Sequence, residues 1–234
     1  MQFITVKSSY DRETTGVSSG YQLEIKKKSF ENSRDEKFFN DFFKKNSKEF
    51  QRNVLNSFMQ FNQEELIGSI TLFPTSKKLK RIDFFRVCPN LMGIWVVVSQ
   101  KVMNIFSKYN LPSINKIEIK IEGFSEKYYL IGFPIVSIEC IDYELSKFMN
   151  IQSGKIIIYK TYENYKNRED PFDIYPKEIH LLENYKYDVL NLAGIYEISI
   201  NSKILQDLKK ENCIGFTEVD SNQIIVISPD SVIL

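Results

Sequence analysis

Leu91-Met-Gly-Ile-Trp-Val-Val-Val-Ser-Gln-Lys-Val-Met-Asn-Ile-Phe106 returns in altered form as Leu192-Ala-Gly-Ile-Tyr-Glu-Ile-Ser-Ile-Asn-Ser-Lys-Ile-Leu-Gln-Asp-Leu208. At a shift of 101, Gly93-Ile94-Trp95 matches Gly194-Ile195-Tyr196. After one inserted residue the shift is 102, and Ser99, Lys101, Val102, Met103, Phe106 and Asn110 match Asn201, Lys203, Ile204, Leu205, Leu208 and Asn212. Each copy has the same physical reading. A glycine permits a turn or bulge, and a strand-forming run follows. Ser99 or Asn201 caps a helix whose apolar positions face inward. Asn110 or Asn212 ends that helix in a left-handed conformation.

Beyond each helix the pattern predicts two strands joined as a hairpin: 117–121 with 128–133, and 216–219 with 224–228 across the turn-like Ser221-Asn222. The expected fold class is α+β, with two β-α-β-β units at about 91–133 and 192–228 packed as mixed or antiparallel sheets. Val96-Val97-Val98 is apolar throughout and reads as a central strand, whereas Glu197 and Ser199 predict a wet face for its counterpart.

The first 77 residues read as a strand-helix-helix-strand region. Residues 1–7 and 21–28 alternate as strands on either side of a Ser/Thr/Gly-rich loop at 10–20. Ser33-Arg-Asp-Glu36 fits a capping box, and Phe38, Phe39, Phe42 and Phe43 follow at a spacing that docks a helix on a sheet. Asn46-Ser47 reads as a stop and a new cap, with Phe50, Val54, Leu55, Phe58 and Met59 marking a second helix, then a strand at 66–73 and a basic connector at 77–81. The domain reading is an N-terminal region, 1–77, and an α+β domain, 78–234, with an acidic, Tyr-rich insert at 161–188.

The 234-residue chain is 43% hydrophobic, enough for a core, and its net charge of +1 points to no nucleic-acid partner. Residues 1–120 hold 20 basic and 12 acidic side chains, and residues 121–234 hold 11 and 18, so the halves carry +8 and −7 and can attract each other. The three cysteines, Cys88, Cys140 and Cys213, form no metal or redox motif. The N-terminal residues do not read as a signal peptide, and no apolar run is long enough to span a membrane, so a cytoplasmic location is expected.

Motifs for chemistry are weak. His180 is the single histidine and lies in a strand-like stretch, which leaves histidine-based metal clusters and acid–base catalysis without material. Gly16-Val-Ser-Ser-Gly20 matches the nucleophile-elbow spacing but precedes a strand where that motif needs a helix. Glu24-Ile-Lys26 with Asp11 upstream has the residue types of a metal-dependent nuclease, two carboxylates for a metal and a lysine to assist water attack. Glu118-Ile-Lys120 shows that alternating charge on a strand produces the same tripeptide freely. No cofactor and no metal are expected, and the work falls to a surface.

From residue 78 the chain carries Ile82-Asp-Phe-Phe85, the Gly93 strand running into the Ser99-capped helix, and Leu111-Pro112. Tyr128-Tyr129-Leu-Ile131, Ile138-Glu-Cys-Ile-Asp142-Tyr-Glu-Leu-Ser146 and Asn212-Cys-Ile-Gly215-Phe216 follow. Over about 78–228 this resembles an immunity-protein family of bacterial polymorphic toxin systems. The resemblance implies a cytoplasmic, non-enzymatic protein that binds and neutralises a cognate toxin domain by occluding its active site. It does not extend to residues 1–77, and it carries over no catalytic residues. Asp142 and Ser146 match the signature but read as caps of local backbone amides, and Gly93, Ser99, Tyr129, Gly215 and Phe216 likewise read as structural. A toxin domain acting on nucleic acid is commonly basic, which makes the acidic segment the first candidate for the contact. Tyr162, Tyr165, Phe172 and Tyr175 would be aromatic anchors, Glu169, Asp170 and Asp173 would steer the encounter, and Glu163 belongs to the same contact. A small metal-dependent nuclease and a general adaptor domain are the alternatives. The implied partner is protein, without membrane or direct nucleic acid.

Overall fold

A computed structural model describes residues 2–18, 20–43, 51–169, 173–194 and 197–227, with 220–227 as backbone only. The fold is α+β and mostly sheet. Its strands are β1 (Gln2–Ser8), β2 (Leu23–Glu24), β3 (Ile70–Pro74), β4 (Phe84–Phe85), β5 (Val87–Cys88), β6 (Val96–Ser99) and β7 (Asn115–Ile121). Then come β8 (Tyr128–Gly132), β9 (Ile141–Asn150), β10 (Ile156–Ile157), β11 (Ile174–Leu181), β12 (Val189–Leu190), β13 (Ile198–Asn201) and β14 (Phe216–Ile227). The described α-helices are α1 (Arg12–Thr15), α2 (Ser33–Phe43), α3 (Gln100–Phe106), α4 (Tyr162–Lys166) and α5 (Ser202–Lys210).

The strands form two seven-stranded sheets, β4-β6-β8-β7-β3-β2-β5 and β12-β13-β1-β14-β11-β9-β10. Read in that order, the first five junctions of each sheet agree: three antiparallel, one parallel, one antiparallel. Only the outermost junction differs, β2–β5 being parallel and β9–β10 antiparallel. The helices agree as well. α3 joins β6 to β7 as α5 joins β13 to β14, and α2 precedes β3 as α4 precedes β11. The duplication is therefore larger than the sequence repeat that announces it. Residues 161–188, expected as an insert, hold α4 and β11, the counterparts of α2 and β3, and β11 lies inside its sheet. The first 77 residues make no sheet of their own: β1 enters the second sheet, β2 and β3 the first.

The first unit is the expected β-α-β-β, its last two strands pairing as a hairpin from Asn115↔Gly132 to Ile119↔Tyr128. The second differs. Phe216–Ile227 is one strand, and β1 takes the place that β8 holds in the first unit. Gln2, Phe3 and Ile4 pair with Ile225, Ile224 and Gln223, and Val6, Lys7 and Ser8 pair with Glu218, Thr217 and Phe216. The turn-like Ser221-Asn222 thus falls in a bulge, because both arms of the expected hairpin find the same partner strand. Ser228 lies outside the described residues.

Three cores follow from the strand alternation. Val96, Val98 and Ile131 of the first sheet meet Val6, Ile198 and Ile200 of the second in a shared core, which also takes Val102 and Phe106 of α3 and Ile204, Leu205 and Leu208 of α5. The outer face of the first sheet is closed by Phe39 and Phe43 of α2, with Val97 and Leu130 beneath, and that of the second by Tyr165 of α4, with Phe3, Phe148 and Ile179 beneath. β6 is buried on both faces, as its unbroken valine run requires. The expected wet face of β13 is dry. Ser199 is buried and shares a hydroxyl hydrogen bond with Thr5 across the β1–β13 register at 2.9 Å. Glu197 is held by the Trp95 indole N–H at 3.2 Å and Arg86 at 3.3 Å, both from the first half.

Several local expectations move. The cap of α2 is one residue earlier than expected: Asn32 Oδ1 accepts from the Asp35 amide at 2.9 Å, and Asn32 Nδ2 donates back to Asp35 Oδ2 at 2.8 Å. The strand expected at 21–28 shortens to Leu23–Glu24 before a 3-10 turn, Lys27–Ser29. The second N-terminal helix ends early: Gln51 and Arg52 are helical, and a 3-10 turn at Leu55–Ser57 stands where the helix was expected to continue. Val54 is extended there (φ −76°, ψ 141°) and bridges Ile135, whose backbone exchanges bonds with Asn53 and Leu55. Asn46, Ser47 and Phe50 lie outside the described residues. Asn212 ends α5 at φ 51° as expected, but Asn110 is not left-handed; its backbone and amide bind Asp188 and Lys186 of the other half.

Candidate interaction surface

α3 packs on β6 and β8, and α5 packs on β1 and β13. The inner face of each sheet continues past its helix to the outermost strands, where the pairing makes two rows directly comparable. In the first sheet, Leu72, Leu23 and Val87 belong to the outer core, so by alternation Phe73, Glu24 and Cys88 form the inner row across β3-β2-β5. In the second, Ile174, Phe148 and Ile157 turn outward, and Tyr175, Met149 and Ile156 form the inner row across β11-β9-β10.

The first row is covered at its apolar member, Phe73, while Glu24 and Cys88 line a depression. The turn after β2 folds Lys28 over the Phe73 ring, Nζ 3.9 Å from its centroid, and Phe73 is only 8% exposed. Glu24 pairs with Lys26. The second row is open. Ile156 is 50% exposed and Ile158, two residues on, 54%, while Met149 and Tyr175 are half-buried. Covering an exposed isoleucine recovers about 1.5–3 kcal/mol, so an open row of this kind is worth a partner's contact. On one side it is bordered by the Lys147–Glu178 ion pair at 3.0 Å; His180 Nε2 and Glu178 Oε1 are 3.1 Å apart. The bonds from His180 and Lys147 hold the Glu178 carboxyl below its ordinary range.

The expected toxin-contact residues divide. Tyr165 is 6% exposed, packed in tilted and edge-on contacts with Tyr143, Phe148 and Tyr159 under the Arg168 guanidinium, and burial pushes its hydroxyl pKa up. It is a core residue and not the surface anchor expected, because α4 closes the outer face with it. Tyr162 is half-buried beside Tyr143. Glu163 and Glu169 are exposed, and Asp173 accepts from Gln152 Nε2 at 2.7 Å. Tyr175 lies on the opposite face of the sheet from α4, in the open row. Asp170 and Phe172 lie outside the described residues.

The residues expected to be structural are bound internally. Gly93 has φ +79°, and its carbonyl accepts from Asn115 Nδ2 at 3.0 Å. Ser99 caps α3, and the buried Tyr129 donates its hydroxyl to Gln100. Asp142 Oδ1 accepts from the Glu144 and Leu145 amides at 3.1 and 3.2 Å, and Ser146 Oγ accepts from the His180 amide at 2.9 Å. Gly215 leaves no room for a Cβ, which would lie 2.8 Å from the Phe84 carbonyl oxygen, and Phe216 packs on Phe84.

Among the described residues no group of three or more His, Cys, Asp or Glu side chains is placed to hold a metal. Both Asp11 oxygens are engaged by the start of α1, at 3.1 Å from the Glu13 amide and 2.8 Å from the Thr14 amide. Glu24 opens into a depression of about 550 Å³ lined by Arg12, Ser18, Tyr21 and Lys78, a single carboxylate among cations and hydroxyls. No described helix is long and apolar enough to cross a membrane. Residues 155–160, Lys-Ile-Ile-Ile-Tyr-Lys, carry no motif for a site; the lysines flanking the isoleucines are the signal in the sequence that the strand is an edge. No family model, curated protein or solved structure matches the chain.

Proposed function

We propose that this protein is a cytoplasmic immunity protein that binds a toxin domain and blocks its active site. The open row at Tyr175, Met149 and Ile156 carries this reading, since its apolar side chains are uncovered whereas Phe73, the apolar member of the matching row, is covered by Lys28 of the chain itself. The resemblance over 78–228 supports it. Neutralisation by occlusion needs a preformed surface of ordinary interface size and no turnover. The exposed Glu163 and Glu169 on the α4 side steer a basic toxin toward the β9–β10 edge. Affinity purification of the tagged protein from its native cells tests this. Co-purification of the C-terminal fragment of a large secreted protein is the expected result. Recovery of nucleic acid alone, or of nothing, overturns it.

A further inference from the structure

We infer that β10 is a strand-accepting edge for an extended partner segment whose apolar residues are flanked by acidic ones. The inference rests on the binding-protein reading above and specifies its docking mode. β10 is the last strand of the second sheet. The Asn150 amide donates to the Lys155 carbonyl at 2.9 Å. Bonded and unbonded pairs alternate along an antiparallel ladder. Ile156, opposite Met149 and one residue on, therefore turns its own N–H and C=O to the open edge. An added strand would take those backbone groups while laying alternate side chains beside Ile156 and Ile158, which are already half-exposed on the uncovered face.

Charge selects the occupant. Lys155 and Lys160 bracket the isoleucines, both are exposed, and neither pairs with a carboxylate among the described residues. A second copy of this chain is a poor fit, because antiparallel pairing of two β10 strands gathers Lys155 of one copy and Lys160 of the other at the same end of the pair, with no carboxylate between them. A segment with acids at both ends and apolar residues between matches both features.

The probes are two nine-residue capped peptides with the same alternating Val/Thr centre, one ended by glutamates and one by lysines, titrated into the isotope-labelled full chain. The expected result is that the glutamate-ended peptide shifts the Ile156 and Ile158 amides and binds about tenfold or more tightly than the lysine-ended one. Ile156→Pro, which removes the outward N–H, and Ile158→Glu, which puts a negative charge in place of an apolar contact, each abolish that preference while leaving the remaining amide spectrum in place. Equal binding of both peptides, no binding, or shifts confined to other strands overturn the inference. If the toxin is captured from cells with Ile156→Pro as well as with the natural protein, the edge proposal falls and the immunity reading stands. If the peptide binds as expected but no toxin is captured, the reverse holds.

Discussion

Asp83 and Asp188 make the same four hydrogen bonds from equivalent posts in the two halves. Asp83 Oδ1 accepts from Ser99 Oγ at 2.6 Å and its carbonyl from the Ser99 amide at 3.0 Å; Asp188 Oδ1 accepts from Asn201 Nδ2 at 2.9 Å and its carbonyl from the Asn201 amide at 2.8 Å. Each aspartate thus fixes the helix cap of its own half. The remaining carboxylate oxygen and the backbone amide reach across. Asp83 exchanges bonds of 2.9 Å with Ile214, beyond α5, and Asp188 exchanges bonds of 2.9 and 2.8 Å with Asn110, beyond α3. The halves are locked by a reciprocal exchange.

Replacing either aspartate with alanine leaves a cap and an amide of the opposite half without acceptors. Asp83→Ala is expected to cost about 2–4 kcal/mol, since Asp83 is buried and also receives Lys101 at 3.0 Å, and Asp188→Ala about 1–3. Urea unfolding checks this: the midpoint should fall while the slope stays constant, with Asp83→Ala the more damaging.

β1 closes the second sheet from the other end of the chain. Removing residues 2–8 takes Phe3 and Val6 out of two cores, about 3–6 kcal/mol of apolar burial, and parts β13 from β14. Against a typical total stability of about 5–15 kcal/mol, the shortened chain is expected to lose cooperative folding. A synthetic peptide of residues 1–9 should restore it. Cooperative unfolding of the shortened chain without the peptide would contradict the closing role.

Asp35 is a buried carboxylate whose bonds from the Gly68 and Ile67 amides and Asn32 outweigh its desolvation and hold its pKa below the ordinary value. A depressed folded pKa contributes stability above the unfolded value, near 4, and that contribution fades as the pH falls through the lower folded value. Asp35→Asn is therefore expected to be the less stable protein at pH 7, with the gap to the natural protein narrowing as acid is added below about pH 4. Parallel unfolding curves at every pH would contradict it.

Glu197 has the opposite sign. Burial raises its pKa, only partly offset by the Trp95 indole and Arg86. Its stabilising contribution is full below the unfolded value and is lost as the pH rises through the raised folded value. Glu197→Gln, which keeps an acceptor for the indole, should flatten this loss between about pH 4 and neutrality. Thermal melts across that range decide it.

If Glu163 and Glu169 steer a basic toxin, reversing both to lysine should slow association about tenfold or more at low salt, with little change in dissociation. Stopped-flow mixing with the captured toxin reads both rates, and unchanged association removes the acidic segment from the contact.

The class of the fold was legible in the repeated phrase because periodicity is local. A glycine, a β-branched run, a cap and an amphipathic helix lie within one short window, and both copies fold as their spacing dictates. The valine run of β6 even announced burial on both faces. What lay beyond the window did not follow. Which strand pairs with β14 depends on an edge supplied by β1, more than two hundred residues away in the chain, so the expected hairpin became a bulged strand. Ser199 and Glu197 read as solvent-facing by residue type, yet Thr5, Trp95 and Arg86 arrive from distant segments to satisfy them. Tyr165 leaves its expected place on the surface for the same reason. Residue type sets how much apolar surface a strand carries, but only the tertiary neighbours decide which part of it is covered: α4 spends Tyr165 on the core, and no described element reaches across to Ile156.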